Sequence, residues 1–257
     1  MYALQQLYRY PVKGLSPEPL PALTLTPGEA VPGDRIYALT NGNWRFDPID
    51  PQPQPKTQFL MLMKYEKLAK LRTQFDDATQ ALRIDAPDGT QIVADLTGEA
   101  GRQQVEHFFA DYMGSLIDGP PQLVASPGHH FTDVSVVSPQ MMRAVSLVNL
   151  ASVRALGERL GAEVDPLRFR ANLYIDGPAA WAEFDWIDRE FSIGDVRVKG
   201  VLRTVRCLAV NVNPATAERD MELPKALKRE FGHADMGIYL EVLDGGVLQP
   251  GAVLTPP

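Results

Sequence analysis

Turn signals break this chain at short intervals along its whole length, and that punctuation limits what it folds into. They include "TPGEAVPGD", "TNGN", "PIDPQPQP", "APDG", "DGPP", "SPG", "SIGD" and "LDGG", and 22 prolines are spread through the chain. Proline lacks an amide hydrogen, and glycine and proline both end regular elements, so long helices have little room. The segments between the turns alternate apolar with polar residues or are rich in β-branched ones. Examples are "PALTLTP", "RIYALTN", "ALRIDAP", "TQIVADL", "FRANLYIDG", "DVRVKGVLRTVRCLAVNV" and "MGIYLEVL". Short runs with regular turns predict the strands of a sandwich or barrel.

Three stretches carry helical signals instead. "TGEAGRQQVEHFFADYMG" starts at Thr97 as N-cap and ends at Gly114. "NLASVRALGERLGAE" repeats apolar residues at Leu150, Val153, Leu156 and Leu160. "LPKALKREFG" puts Pro224 in a first turn and Gly232 at a C-cap. The mixture predicts a mainly β chain with a few helices, of α+β class. The pattern is interrupted at "GSLIDGPPQLVASPG", which divides a β-rich N-terminal domain, 1–118, from a second domain, 119–257. Residues 47–55, "DPIDPQPQP", read as an exposed loop.

The net charge of −7 argues against nonspecific binding to nucleic acid or an anionic membrane. The single cysteine forms no internal disulfide and fits a reducing compartment. "MYALQQLYRYPVKG" lacks the pattern of a signal peptide, and no apolar run approaches membrane-spanning length. The expected location is therefore cytoplasmic, with no membrane partner.

The lone cysteine, Cys207, has two readings. Free cysteine is commonly buried as a small hydrophobe. Alternatively, Arg203 and Arg206 favour a thiolate at the rim of a cavity, where "LAVNVNP" passes from strand into turn. In "DPLRFRANLYIDG", strand alternation would put Arg168, Arg170 and Asn172 on one face, either to grip an anion or as a solvated, salt-bridged face. Lys13 before Gly14, and Arg35 at a turn-to-strand junction, carry the same two readings. Adjacent His129 and His130 do not face one site on a strand, which argues against a histidine metal centre. No glycine-rich nucleotide loop or GxSxG elbow is present.

Taken in order, "YRYPVKGLSP", "GDRIYAL", "FTDVSVV", "VSLVNLASVRAL", "FRANLYIDG", "TVRCLAVNVNP" and "LQPGAVL" resemble MOSC-domain proteins. The first two resemble the N-terminal region of that family and the rest the MOSC domain proper. The nearer relatives so implied are the mitochondrial amidoxime-reducing components and their bacterial counterparts, with molybdenum cofactor sulfurase more distant. The resemblance implies a β-barrel-like MOSC domain packed with an N-terminal β-rich domain. It implies a molybdenum cofactor (Mo-molybdopterin), with Cys207 as catalytic metal ligand, and it requires no pyridoxal phosphate. Lys13, Arg35, Arg170 and Asn172 match cofactor-holding positions, with Ser146, Asn149 and Arg206 as further candidates. The implied activity is reduction of N-hydroxylated compounds such as amidoximes, hydroxylamines and N-hydroxylated bases. The alternative is a sulfur or cofactor carrier using a Cys207 persulfide or transient cofactor binding. The family's frequent second cysteine is absent from "RTVRC". With one cysteine the chain cannot hold an iron–sulfur cluster of its own, so electrons are expected from a separate donor protein.

Overall fold

A computed structural model describes residues 2–257. Its largest element is an eight-stranded sheet in the order Leu254–Thr255, Glu190–Ile193, Val196–Val205, Asp235–Asp244, Val145–Asn149, Leu173–Asp176, Ala3–Arg9, Glu18–Pro19. All neighbours are antiparallel except Val145–Asn149 and Leu173–Asp176, which run parallel. The parallel pair is joined through a helix, as parallel pairs require. The sheet curls towards itself. The Leu4 amide donates to Ala252 O (2.9 Å), and the Leu254 amide donates to Tyr2 O (2.9 Å). The start of the chain is thereby stitched to its last strand.

Alternation explains the barrel core. Val145 and Leu147, Leu173 and Ile175, Val196 and Val198, and Ile238 and Leu240 all point inward, where they meet Leu4 and Leu7. The outward residues of the central strands are not solvated. Val148, Tyr174 and Met236 pack under two helices, α3 (Leu150–Leu160) and α4 (Leu223–Phe231). Strands covered on both faces lose their polar alternation, and Val145–Asn149 is buried at every position. Each fully buried Leu or Ile contributes roughly 1.5–3 kcal/mol, whereas exposed pairs such as Arg83–Asp85 are screened by water and add little. The apolar interior therefore dominates stability.

The first half adds a meander, Arg72–Asp76, Ala81–Asp85 and Gln91–Asp95, packed against α1 (Glu99–Met113). Phe75, Leu82 and Ile84 meet Val105, Phe109 and Met113 in its core. A fourth helix, α2 (Pro139–Met142), is a single turn capped by Ser138. The predicted helix ends hold at Gly114 and Gly232, but Thr97 is not a cap. Gly98 occupies the α1 cap position, and the Thr97 hydroxyl donates to Asp95 instead (2.7 Å).

The long run "DVRVKGVLRTVRCLAVNV" is not one extended segment. Its strand ends at Val205, and Leu208–Asn211 form a 3-10 turn. Asn211 accepts the Leu223 amide at the start of α4 (2.9 Å), so the turn takes its partner from a helix rather than a strand. Among the described residues, no helix is long and apolar enough to cross a membrane.

Candidate functional site

A cleft of about 260 Å³ opens where the first half of the chain meets the barrel. Six basic side chains line it (Lys13, Lys56, Arg35, Arg168, Arg170 and Arg206), against two carboxylates, Asp34 and Asp133. That local excess of positive charge stands out in a chain of net −7.

Lys13 enters through a turn that only glycine makes cheaply. Gly14 has φ +82°, and a Cβ there would lie 3.0 Å from Leu60 O. The Lys13 amide pairs with Tyr37 O (2.8 Å), and its buried ammonium donates to Phe131 O (2.9 Å) and to Asp133. Burial lowers the Lys13 pKa, and Asp133 opposes the shift. Asp133 also faces Lys56 at 3.4 Å. Enclosure alone would raise its carboxyl, but Lys13 and Lys56 hold it far below the usual carboxylate range.

Arg35 and Arg170 both have left-handed backbone, φ +48° and +51°. Non-glycine residues occupy that region at a cost of about 1–2 kcal/mol, so both turns are held by their surroundings. Arg35 donates to Asp34 (2.5 Å) and to Arg170 O (2.9 Å). Arg170 is the unengaged member. Among the described residues, its Nη2 is enclosed without a hydrogen-bond partner, and so is the cleft's Thr132 hydroxyl. Burial lowers the Arg170 pKa to about 10, which leaves it cationic at neutral pH.

Cys207 is half-buried at the cleft, where the strand Val196–Val205 gives way to the 3-10 turn. Of the two arginines expected to favour its thiolate, Arg203 turns away onto the Phe184 ring (4.4 Å). Arg206 stays close but spends its guanidinium on Met236 O (2.9 Å) and Phe169 O (2.8 Å). The closer-acting cation is Lys56. Burial would lower its pKa, but Asp133 and Cys207 beside it raise it.

The sequence matches the MOSC domain over residues 126–255 and the MOSC N-terminal beta barrel domain over residues 1–119. The chain belongs to the MOSC family. It is 24% identical to human (Homo sapiens) mitochondrial amidoxime-reducing component 1 over 249 residues, 90% of this chain and 72% of that protein. It is 39% identical to the mouse (Mus musculus) component 1 over 162 residues, 62% of this chain and 47% of that one. Molybdenum cofactor sulfurase of Drosophila willistoni is 39% identical over 97 residues, 37% of this chain and 12% of its own length. Against solved structures, the YuaD protein of Bacillus subtilis aligns over 98% of this chain and 93% of its own at 14% identity, with a TM-score of 0.42.

In this MOSC protein the cleft gathers Lys13, Arg35, Ser146, Arg170, Asn172, Arg206 and Cys207. Ser146 and Asn172 satisfy one another. The Ser146 hydroxyl donates to Asn172 Oδ1 (2.8 Å), and the Asn172 amide donates to Ser146 Oγ (3.0 Å). They brace the wall more than they offer free groups. Arg168, Arg170 and Asn172 share the cleft, but not by strand alternation. Residues 166–169 form a 3-10 turn, Arg170 is left-handed, and the strand begins at Leu173. Lys56, Asp133, Asp34 and Tyr239 are cleft residues that the sequence did not single out. The signal for Lys56 was hidden by the loop "DPIDPQPQP", whose end it follows.

Asn149 is not brought to the cleft. Its Oδ1 caps α3, and its Nδ2 donates to buried Glu183 (3.1 Å), which also accepts from Ser152 (2.8 Å). Burial raises the Glu183 carboxyl from 4.5 to about 7. The folded chain thus keeps a proton that the unfolded chain gives up across this interval. The stability it contributes is complete below pH 4.5 and is lost as pH rises through 7. Glu183→Gln should therefore gain on the wild type between pH 5 and pH 8 by about 2.5 kcal/mol. Thermal unfolding of both proteins at the two pH values checks this, and a gap independent of pH would refute it.

Proposed function

We propose that the cleft binds a molybdenum cofactor with Cys207 as its protein ligand, and that the loaded protein reduces N-hydroxylated compounds. The observation that carries this reading is the meeting of the only thiol with an excess of basic side chains in one cleft of an acidic protein. The residues suit such a group. A thiolate is a soft ligand, fitted to a metal already bound by sulfur. The partnerless Arg170 Nη2 and Thr132 hydroxyl are donors awaiting a polar ligand. When bound, the group would supply a two-electron reduction of the N–O bond, with the oxygen leaving as water after taking up two protons.

The chain's own residues bind and orient. Lys13, Arg35 and Arg170 would hold the cofactor's phosphate and polar edge. Ser146 and Asn172 would keep the wall in shape, and Arg206 would fix the backbone beside Cys207. Lys56 would balance the thiolate charge. Electrons would come from a separate donor protein, and we place the reaction in the cytoplasm. The names of the amidoxime-reducing relatives support the reductase reading. The match to a sulfurase supports a second reading, in which Cys207 carries a persulfide or the cofactor is handed on. We also propose the division of the chain at 118/119 into two domains.

The test is molybdenum content and N-hydroxy reduction by the full chain, expressed in a host rich in molybdopterin. Near-stoichiometric metal with activity is expected. Folded protein without metal would sink the reading, and cyanide-releasable sulfur on Cys207 would favour the carrier.

A further inference from the structure

Tyr10 is completely buried, yet its ring faces two cations. The Arg35 guanidinium lies 4.4 Å from the ring centroid and the Arg170 guanidinium 4.3 Å. These are the two cleft arginines with left-handed backbone. Their charges repel, and only one has a carboxylate. Asp34 accepts from Arg35 through one oxygen and from the Tyr10 amide through the other (2.8 Å). No carboxylate pairs with Arg170 among the described residues, and its Nη2 has no partner at all. What faces the Arg170 guanidinium is the aromatic ring, and the negative face of a phenol ring attracts a guanidinium. The Tyr10 hydroxyl donates to Ala171 O (3.1 Å), tying the ring to the backbone just beyond Arg170.

We propose that Tyr10 is a positioning residue that holds Arg35 and Arg170 together as one preformed receptor for a doubly charged phosphate group. The inference rests on the cleft being the cofactor site, and it adds the reason why two like charges stand ready there before any ligand arrives. A receptor organised in advance loses less freedom on binding. Two forked guanidiniums match a dianion better than they match a singly charged ligand.

The test uses the full chain prepared without cofactor and inorganic phosphate as probe, titrated calorimetrically at mildly alkaline pH, where phosphate is the dianion. Four proteins are compared: wild type, Tyr10→Phe, pentafluorophenylalanine in place of Tyr10, and Arg170→Met. Phe keeps the ring's charge distribution, whereas the fluorinated ring reverses it at nearly the same shape. Phe should bind phosphate within about two-fold of wild type, and the fluorinated ring about ten-fold more weakly, the range of an enclosed cation–π contact. Melting curves should show both ring variants folded at the titration temperature, so that the split is one of affinity and not of unfolding.

Equal affinity in the two ring variants would overturn the proposal. Equal loss in both would also overturn it, by assigning the effect to the hydroxyl contact with Ala171. If wild type fails to bind phosphate, or Arg170→Met binds as tightly, the arginines are not a phosphate receptor, and the cofactor-site reading falls with the inference.

Discussion

On the proposed function, Cys207→Ser should leave the protein folded but unable to retain molybdenum. The side chain is half-buried and makes no hydrogen bond that the fold relies on, so the change should move stability by no more than about 0.5 kcal/mol. Its effect on the metal is of another order. A thiol is readily deprotonated, and the thiolate it forms is soft. A serine hydroxyl is hard and stays protonated at neutral pH, so the exchange removes a matching ligand rather than weakening one. Mutating residues one layer behind a metal ligand already costs about 10–100-fold in affinity or activity. If Cys207 is the ligand, as proposed, its loss should therefore cost more than about 100-fold in the proposed N-hydroxy reduction. Elemental analysis and thermal unfolding, run side by side, separate the two effects. Metal retained at wild-type stoichiometry with activity intact would remove Cys207 from the site.

A large loss of stability should come from Gly237→Ala. Gly237 lies inside the strand Asp235–Asp244 with φ +78°, and a Cβ there would sit 2.1 Å from Leu147 O. Its neighbour Ile238 pairs with Leu147 in the barrel, and both are fully buried. The carbonyl cannot move aside without breaking that pairing, so the cost should exceed about 4 kcal/mol. The cleft would suffer with it, because the same strand supplies Tyr239 and the Met236 carbonyl that anchors Arg206. Gly232→Ala isolates the backbone part. Its φ is +80°, but nothing lies within 4 Å of the added methyl, so about 1 kcal/mol is expected. Chemical denaturation of both variants reads the difference. Equal losses would mean that the approach to Leu147 O carries no cost.

The strand meander, α3 and α4 were legible because each segment's burial follows from its own periodicity. Leu150, Val153, Leu156 and Leu160 mark one helix face wherever that helix docks. Lys13, Arg35, Arg170 and Cys207 were legible through resemblance and through the chemistry of charge and thiol. At 168–172 a 3-10 turn and a left-handed arginine, in place of the expected strand, bring Arg168, Arg170 and Asn172 to the cleft. Asn149 shows the opposite outcome. Its residue type suited a polar pocket as well as a helix cap, and the Glu183 cluster claimed it.

By itself the sequence determined the β-rich class, the positions of the three longer helices and the single thiol, because turn chemistry and periodicity act between near neighbours. Only the tertiary structure decided the cleft. Lys13 meets Asp133 across 120 positions of chain, Arg35 meets the carbonyl of Arg170 across 135, and Lys56 faces Asp133 across 77. No local pattern encodes such pairs. They exist because curling the sheet and burying its apolar clusters brings distant loops to one place, where unlike charges and unsatisfied donors must find each other or a ligand.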